Sequence, residues 1–147
     1  MSHHSTFPHY WINHLGFVLR ASSADVFARA GLDTSPEEWG VMLILHDEGP
    51  MTPSRLAKLT VRDRPATSRL IAKLEGKGLI ARALGETDRR SQVISMTGKG
   101  ETEFARWRAA LMPMIAHSQD GISAEEVEAA VSVLARMARN LEKDGTT

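Results

Sequence analysis

The residues with the clearest capacity for chemistry are the lysines and arginines between Thr52 and Gly100, here called the basic segment. Against four acidic residues, these 49 residues carry eleven basic ones: Arg55, Lys58, Arg62, Arg64, Arg69, Lys73, Lys77, Arg82, Arg89, Arg90 and Lys99. The segment therefore has a net charge of +7 and the remainder of the chain −7, which the formal total of zero conceals. A basic block inside an acidic frame is typical of a surface that binds a polyanion.

Two short helices must position most of these cations. Thr52-Pro53 predicts the start of a helix over Pro53–Thr60, because a threonine cap followed by proline favours a first turn. Asp63 to Pro65 predicts the start of a second helix over Arg64–Glu75, which the glycines at 76 and 78 close. The pair fits a helix-turn-helix.

A hairpin must position the remaining arginines. The segments 79–84 and 92–97 are short enough for strands and are joined by the polar stretch 85–91. Asp88-Arg89-Arg90 would lie at the tip of this hairpin, here called the wing. If the polyanion is DNA, we expect Arg90 to reach its minor groove, with Arg89 supporting it and Asp88 orienting an arginine.

The second helix of a helix-turn-helix enters the major groove with its leading residues on base edges. Arginine pairs bidentately with guanine, and alanine or threonine methyl groups suit the thymine methyl. The predicted base-reading residues are Arg64, Ala66, Thr67, Ser68 and Arg69. We expect Arg62 and Lys73 to contact phosphates. An isolated cluster of charge is usually only a solvated face, but here a helix pair, a basic hairpin and charge segregation coincide.

Four stretches carry a family resemblance. They are Leu56-Ala57-Lys58-Leu59, the run from Ala66 to Ile80, Asp88-Arg89-Arg90, and Thr97-Gly98-Lys99-Gly100. They resemble the MarR family of winged-helix transcriptional regulators, with Met96-Thr97 in place of the family's usual Leu-Thr after the wing. The resemblance implies a sequence-specific DNA-binding regulator, expected to be a repressor.

The fold class expected is mainly α with a small β-hairpin: one chain over 1–147 with six helices. Capping boxes at Ser35 to Glu38 and at Ser123 to Glu126 predict two of the helix starts. A further helix follows Thr97, and Pro113 should bend or end it.

The resemblance also implies a homodimer on a near-palindromic operator. Dimerisation helices would lie in 9–34 and 101–143, around a DNA-binding lobe over 35–100. The apolar stripes of the first and last helices agree, because a lone lobe would leave them uncovered. The alternative is that these stripes pack within one subunit.

Family members often bind small aromatic or phenolic acids, so the resemblance implies an effector as well. Trp11, His14, Trp39 and His46 lie on elements that could line a cleft for it, and Arg20 could meet a carboxylate. The alternative is that the tryptophans are core residues and the histidines incidental.

Other classes of function find little support in the sequence. The chain has no cysteine and no His-x-x-x-His pair, so we expect no metal site and no cofactor. No nucleophile elbow or phosphate-binding glycine loop indicates an enzyme. Without an apolar run of about 18 residues or a signal-peptide pattern, a cytoplasmic protein that makes no membrane contact is expected. The principal alternative is a winged helix that binds a protein partner.

Overall fold

A computed structural model describes residues 3–60, 62–85 and 92–143. Within these residues the chain forms six α-helices and one two-stranded sheet after a short 3-10 turn at His3–Thr6. The helices are α1 (Pro8–Arg29), α2 (Pro36–Glu48), α3 (Pro53–Thr60), α4 (Arg64–Gly76), α5 (Gly98–Ser118) and α6 (Ala124–Lys143). The mainly α winged-helix fold expected from the sequence is confirmed.

Side-chain caps explain where the helices of the basic segment and the helix before it begin. The Ser35 hydroxyl accepts a hydrogen bond from the Glu38 N–H at 3.2 Å, which caps α2. Thr52 caps α3 by accepting from the Arg55 N–H at 3.2 Å. The Asp63 carboxylate accepts from the Ala66 N–H at 2.7 Å at the start of α4. Each cap satisfies a backbone donor that the first helical turn leaves free.

The sheet is an antiparallel hairpin of β1 (Ile80–Leu84) and β2 (Gln92–Met96). Its register pairs Ile80 with Met96 and Leu84 with Gln92. An isolated bridge adds Met51 opposite Ile94, with backbone hydrogen bonds of 3.0 and 2.8 Å in the two directions. The segment before α3 is thereby tied to the base of the wing.

One apolar core holds the winged lobe (residues 35–100) together. Helix α2 contributes Val41, Met42 and Leu45, and α4 contributes Ile71 and Leu74, all at most 3% exposed. The other buried apolar residues of the lobe are Met51, Leu56, Ala57, Leu79, Ile80 and Ile94. The core continues into α5 through Phe104, Trp107 and Leu111, so the first turns of that helix pack with the lobe.

The start of α5 fits tightly against the turn between α4 and β1. The Thr97 hydroxyl donates to the Gly78 carbonyl at 2.6 Å and accepts from the Gly100 N–H at 3.0 Å. A Cβ at Gly100 would lie 2.1 Å from the Leu79 carbonyl oxygen, so only glycine fits there. Helix α5 does not end at Pro113 but continues to Ser118, contrary to one of the two outcomes expected of that proline.

By contact the chain divides into a compact unit of residues 1–112 and a second of residues 113–147. In the second unit, Ser123 and Glu126 form a reciprocal capping box at the start of α6. The Glu126 N–H donates to the Ser123 hydroxyl, and the Ser123 N–H donates to the Glu126 carboxylate, both at 3.1 Å. No described residue of α6 is buried.

Helix α1 is similarly uncovered. Of its 22 residues only Phe27 is buried, and it lies beside the Trp107 ring with the ring centroids 6.4 Å apart. The exposed large apolar residues lie in its first half, at Trp11, Ile12, Leu15, Phe17 and Val18.

Candidate DNA-binding surface

The leading residues of α4 form an exposed basic surface. Arg64, Ser68 and Arg69 are exposed, and Ala66 is half-buried. Neither Arg64 nor Arg69 has an acidic group within 4.0 Å among the residues that the structure describes. Their guanidinium groups are therefore available to a ligand. Both residues lie near the start of the second helix, and in a helix-turn-helix the residues there contact base edges.

The structure corrects the prediction that Thr67 contacts a base. Its side chain is buried, with 2% of the residue exposed, and its hydroxyl donates to the Asp63 carbonyl at 2.9 Å. The residue faces the lobe and reinforces the first turn of α4, so its methyl group cannot reach a thymine. Four of the five predicted base-reading residues remain accessible.

The two residues predicted to contact phosphates differ in their surroundings. Arg62 is half-buried just before α4, and its N–H donates to the Ala57 carbonyl at 3.1 Å, which closes the turn between the two helices. Lys73 is exposed on α4, and its Nζ lies 3.9 Å from Glu38 Oε1. Lys73 therefore has an acidic neighbour that sequence spacing did not indicate.

The predicted wing residues Asp88, Arg89 and Arg90 lie outside the described residues. The strands that carry them are described, and β1 places Arg82 near the end of α4. Its Nε donates to Glu75 Oε2 at 3.1 Å, and its Nη1 donates to the Gln92 side chain at 3.0 Å. This arginine holds the wing against α4 and across to β2.

Several cations of the basic segment contact acidic or carbonyl groups of the chain itself. Arg55 pairs with Glu48 at 3.1 Å, and Lys99 Nζ donates to the Lys77 carbonyl at 2.9 Å. Lys77 Nζ donates to the Asp33 carbonyl at 2.8 Å and lies 2.9 Å from Glu38 Oε1. The Lys77–Glu38 pair was missed because its partners are 39 positions apart and no local spacing connects them.

Two residues of the predicted effector cleft, Trp11 and His14, lie in an aromatic cluster at the start of α1. Their ring centroids are 5.8 Å apart, and Tyr10 stacks on His14 at 5.6 Å. The Trp11 indole N–H donates to the Ser5 carbonyl at 2.9 Å.

The candidates on α2 are brought together by a phenylalanine of α5. Trp39 and His46 both stack on the Phe104 ring, with centroid distances of 5.0 and 4.6 Å. His46 Nδ1 also lies 3.5 Å from Glu101 Oε2. Across the described ranges, no hydrogen bond, ion pair or ring contact joins this stack to the aromatic cluster of α1.

Arg20 is already paired with a carboxylate of the chain itself. Its guanidinium contacts Glu37 in the first turn of α2. Partial burial acts to raise the pKa of Glu37, but hydrogen bonds from its own backbone and from Arg20 outweigh burial and hold that pKa below its ordinary value. A carboxylate ligand would have to displace Glu37 to reach Arg20.

Histidine and acidic side chains and the long helices are the remaining groups of interest among the described residues. No group of three or more histidine, aspartate or glutamate side chains there is arranged to hold a metal ion. None of the described helices is both long and apolar enough to span a membrane.

Comparison with known proteins agrees with this geometry. The MarR family model matches residues 34–92, which include α2, α3, α4, β1 and the start of β2. The match thus covers the helix-turn-helix and the first strand of the hairpin.

Solved structures extend the likeness to most of the chain. A MarR family transcriptional regulator from Silicibacter pomeroyi superposes with a TM-score of 0.83 at 21% identity, over 92% of this chain and 89% of that one. The transcriptional repressor CouR, bound to a 23-mer DNA duplex, has a TM-score of 0.78 at 22% identity, over 91% and 94%. A mutant MarR from E. coli complexed with operator DNA has a TM-score of 0.69 at 18% identity, over 86% and 92%. Over residues 34–92 the chain matches the MarR family, and over most of its length it shares the winged-helix fold of MarR family transcriptional regulators.

Proposed function

We propose that this protein regulates transcription by binding a specific DNA sequence, with α4 as the recognition helix in the major groove. The observation that carries the proposal is the pair of exposed arginines, Arg64 and Arg69, without an acidic partner in the described part of the chain. Other cations of the basic segment, such as Arg55 and Arg82, pair with acids of the fold. Unpaired guanidinium groups at a helix start suit bidentate contact with guanine.

Around this helix we assign the remaining DNA contacts by chemistry. Ser68 and Ala66 lie beside the two arginines and would complete the base contacts. Arg62 and Lys73 flank them and would contact phosphates, which supplies affinity without sequence preference. We assign Arg90 to the minor groove, with Arg89 supporting it and Asp88 orienting an arginine, and this assignment is supported by the sequence pattern alone.

The proposed active form is a homodimer formed by the terminal helices, within residues 9–34 and 101–143. Support comes from apolar residues at helical spacing that remain exposed in the single chain. On α6 these are Val131, Leu134 and Leu141, between 46% and 60% exposed, and on α1 they include Trp11, Leu15 and Val18, between 46% and 51% exposed. Faces of this kind mark protein interfaces, and a two-fold dimer would place two lobes on a near-palindromic operator.

Repression is the proposed direction of control. The likeness to CouR, described as a transcriptional repressor bound to a DNA duplex, supports this direction. A dimer occupying an operator within a promoter would exclude the polymerase by occupancy alone. A promoter–reporter pair with and without this protein tests the direction, since activation would raise the reporter signal instead of lowering it.

An effector that relieves DNA binding is the proposed means of control, with a small aromatic or phenolic acid as its chemical class. Trp39 and His46, whose rings stack on the buried Phe104, form one described surface that another aromatic ring would match. Titration of the DNA complex with benzoate and 4-hydroxybenzoate tests it. Release of DNA at millimolar ligand supports the effector class, and an unchanged complex contradicts it for these two acids.

The decisive experiment on DNA binding is selection of duplexes from a random pool, followed by titration of the selected duplex. Arg64→Ala should weaken binding to that duplex by about 1–3 kcal/mol. Arg108→Ala, which removes an exposed arginine of α5, is the charge-matched control and, once sedimentation shows the same species as for the unmodified protein, should leave binding within experimental error. A pool that yields no preferred sequence would contradict a sequence-specific reader and favour a protein partner.

Sedimentation tests the homodimer directly. The chain mass is 16.2 kDa, and at micromolar concentration we expect a species of about twice that mass. A compact monomer would remove the basis for two half-sites while leaving the single recognition helix intact.

A further inference from the structure

We infer that Glu38 is a positioning residue for the recognition helix, and that it sets how well the protein distinguishes its operator from other DNA. The inference rests on the proposed function, because it concerns how α4 is held when it reads DNA. Its starting observation is a charge in an unusual place. Glu38 lies in the first turn of α2 and its side chain is 1% exposed.

This carboxylate is paired by charge with Lys77, but the contact lacks the geometry of a hydrogen bond. Both Oε1 and Oε2 are buried without a hydrogen-bond partner in the described part of the molecule, although Lys77 Nζ lies 2.9 Å from Oε1. Burial of a charge without full hydrogen bonding is costly, and replacing such a pair with neutral residues is often neutral or stabilising. The pair is therefore a poor source of stability, and its consequence is geometric.

The geometry acts on α4 through one side of the helix. Arg69, Lys73 and Lys77 follow one another at intervals of four residues, so they lie along the same side over successive turns. Lys77, only 20% exposed, is held by Glu38 and by the Asp33 carbonyl at 2.8 Å. Since both partners precede or begin α2, they fix the C-terminal end of α4 and with it the direction in which Arg69 points.

Lys73 adds a second effect. Its ammonium lies 3.9 Å from Glu38 Oε1 yet is 59% exposed, so it has both a carboxylate and solvent within reach. A phosphate must compete with Glu38 for this lysine. The buried carboxylate therefore lowers the attraction of the surface for any DNA while it holds the helix that reads one sequence.

The two effects predict opposite changes when the charge is removed. Glu38→Gln keeps the shape, frees Lys73 and weakens one of the two attachments of Lys77, leaving its contacts with Asp33. On the duplex selected by the unmodified protein, affinity should fall on the order of tenfold, the size of one lost base-pair contact. On the unselected random pool of the same length, affinity should stay constant or rise, because the surface gains one positive charge. The ratio of the two affinities is the quantity to measure.

A second variant separates positioning from stability. Glu38→Met combined with Lys77→Met replaces the buried pair with apolar side chains of similar length, which should restore the urea midpoint toward that of the unmodified protein. If Glu38 positions the helix, the affinity ratio stays low although stability returns. If the ratio returns together with stability, the positioning role is overturned. Should Glu38→Gln alone fail to fold, the double variant decides the matter by the same ratio.

The remaining outcomes are also decisive. An equal loss on both duplexes, or no change on either, overturns the inference because positioning must change the ratio. Arg64→Ala in the same titrations keeps this result distinct from the proposed function. If Arg64→Ala weakens binding and Glu38→Gln leaves the ratio unchanged, only the positioning role fails; if Arg64→Ala has no effect, recognition by α4 fails as well.

Discussion

The winged lobe and the terminal helices differ in which groups they leave uncovered. In the lobe a shared core covers most of the large apolar side chains: Val41, Leu56, Ile71 and Ile94 have no measurable exposure, whereas Leu84 on β1 is 63% exposed. In α6 no described residue is buried, and Val131 and Leu141 are more than half exposed. The lobe instead exposes charge, in Arg64 and Arg69 at the start of α4.

This contrast indicates two different partners. Uncovered guanidinium groups attract an anion, and their attraction weakens with salt. Uncovered apolar faces gain free energy by removal from water, in proportion to the area covered. We therefore expect the lobe to be the DNA-binding part and the terminal helices to be the part that binds a second protein chain.

The largest effect is expected on the free energy of unfolding, when one leucine of the lobe and one of α6 are each replaced by alanine. Leu74→Ala in the lobe should cost about 2–5 kcal/mol in the free energy of unfolding at every protein concentration, because it opens a cavity in a covered core. Leu134→Ala in α6 should shift the urea midpoint only through the dimer, so its cost should depend on protein concentration. Urea titrations at two concentrations check both, and a concentration-independent cost for Leu134→Ala would break the contrast.

The next effect concerns the wing. Arg90→Ala should weaken binding to the selected duplex by about 1–3 kcal/mol, if the arginine enters a minor groove. Gel-shift titration measures the loss, with Arg108→Ala as the control outside the lobe. An unchanged titration would remove Arg90 from the DNA-binding surface and leave recognition to α4.

A smaller and more uniform effect is expected for a phosphate contact. Lys73→Ala should weaken binding to the selected duplex and to the random pool by similar factors. It should also lower the slope of log affinity against log salt by roughly one unit. Titrations at several salt concentrations give both quantities. A loss confined to one base position would contradict the phosphate role.

The smallest effect expected is on the terminal part of the chain. Hydrogen bonds from the Ser123 backbone N–H and hydroxyl hold the pKa of Glu126 below its ordinary value. A lowered folded-state pKa means that the charge stabilises α6 above the ordinary carboxyl pKa, and that this stabilisation is lost as the pH falls through the lowered pKa. Glu126→Gln should therefore lower stability slightly at pH 7 and match the unmodified protein in acid. Thermal melts at both pH values check this, and a difference that persists in acid would contradict it.

The sequence predicts most of the fold because its signals are local. Ser35, Thr52, Asp63 and Ser123 each cap a helix within three residues, and the structure confirms all four starts. The two strands also lie within one residue of the predicted bounds. Helix starts and hairpins depend on neighbours in the chain, so a single sequence contains the information.

The site is predicted less completely because its details depend on distant residues. Thr67 follows the pattern of a base-reading residue, yet the rotation of α4 against the lobe buries it. Lys77 has the sequence pattern of an ordinary surface lysine, but the fold brings Asp33 and Glu38, far along the chain, beside it. Nothing in local spacing distinguishes Lys77 from Lys73, although their surroundings differ.

Gly100 has a mechanical consequence for the protein. A backbone–backbone approach that excludes even a methyl group leaves no flexible side chain between α5 and the Leu79 carbonyl. We therefore expect a displacement of the first turn of α5 to move Leu79 with it. Because β1 begins at the next residue, such a displacement would reach the hairpin directly through the backbone.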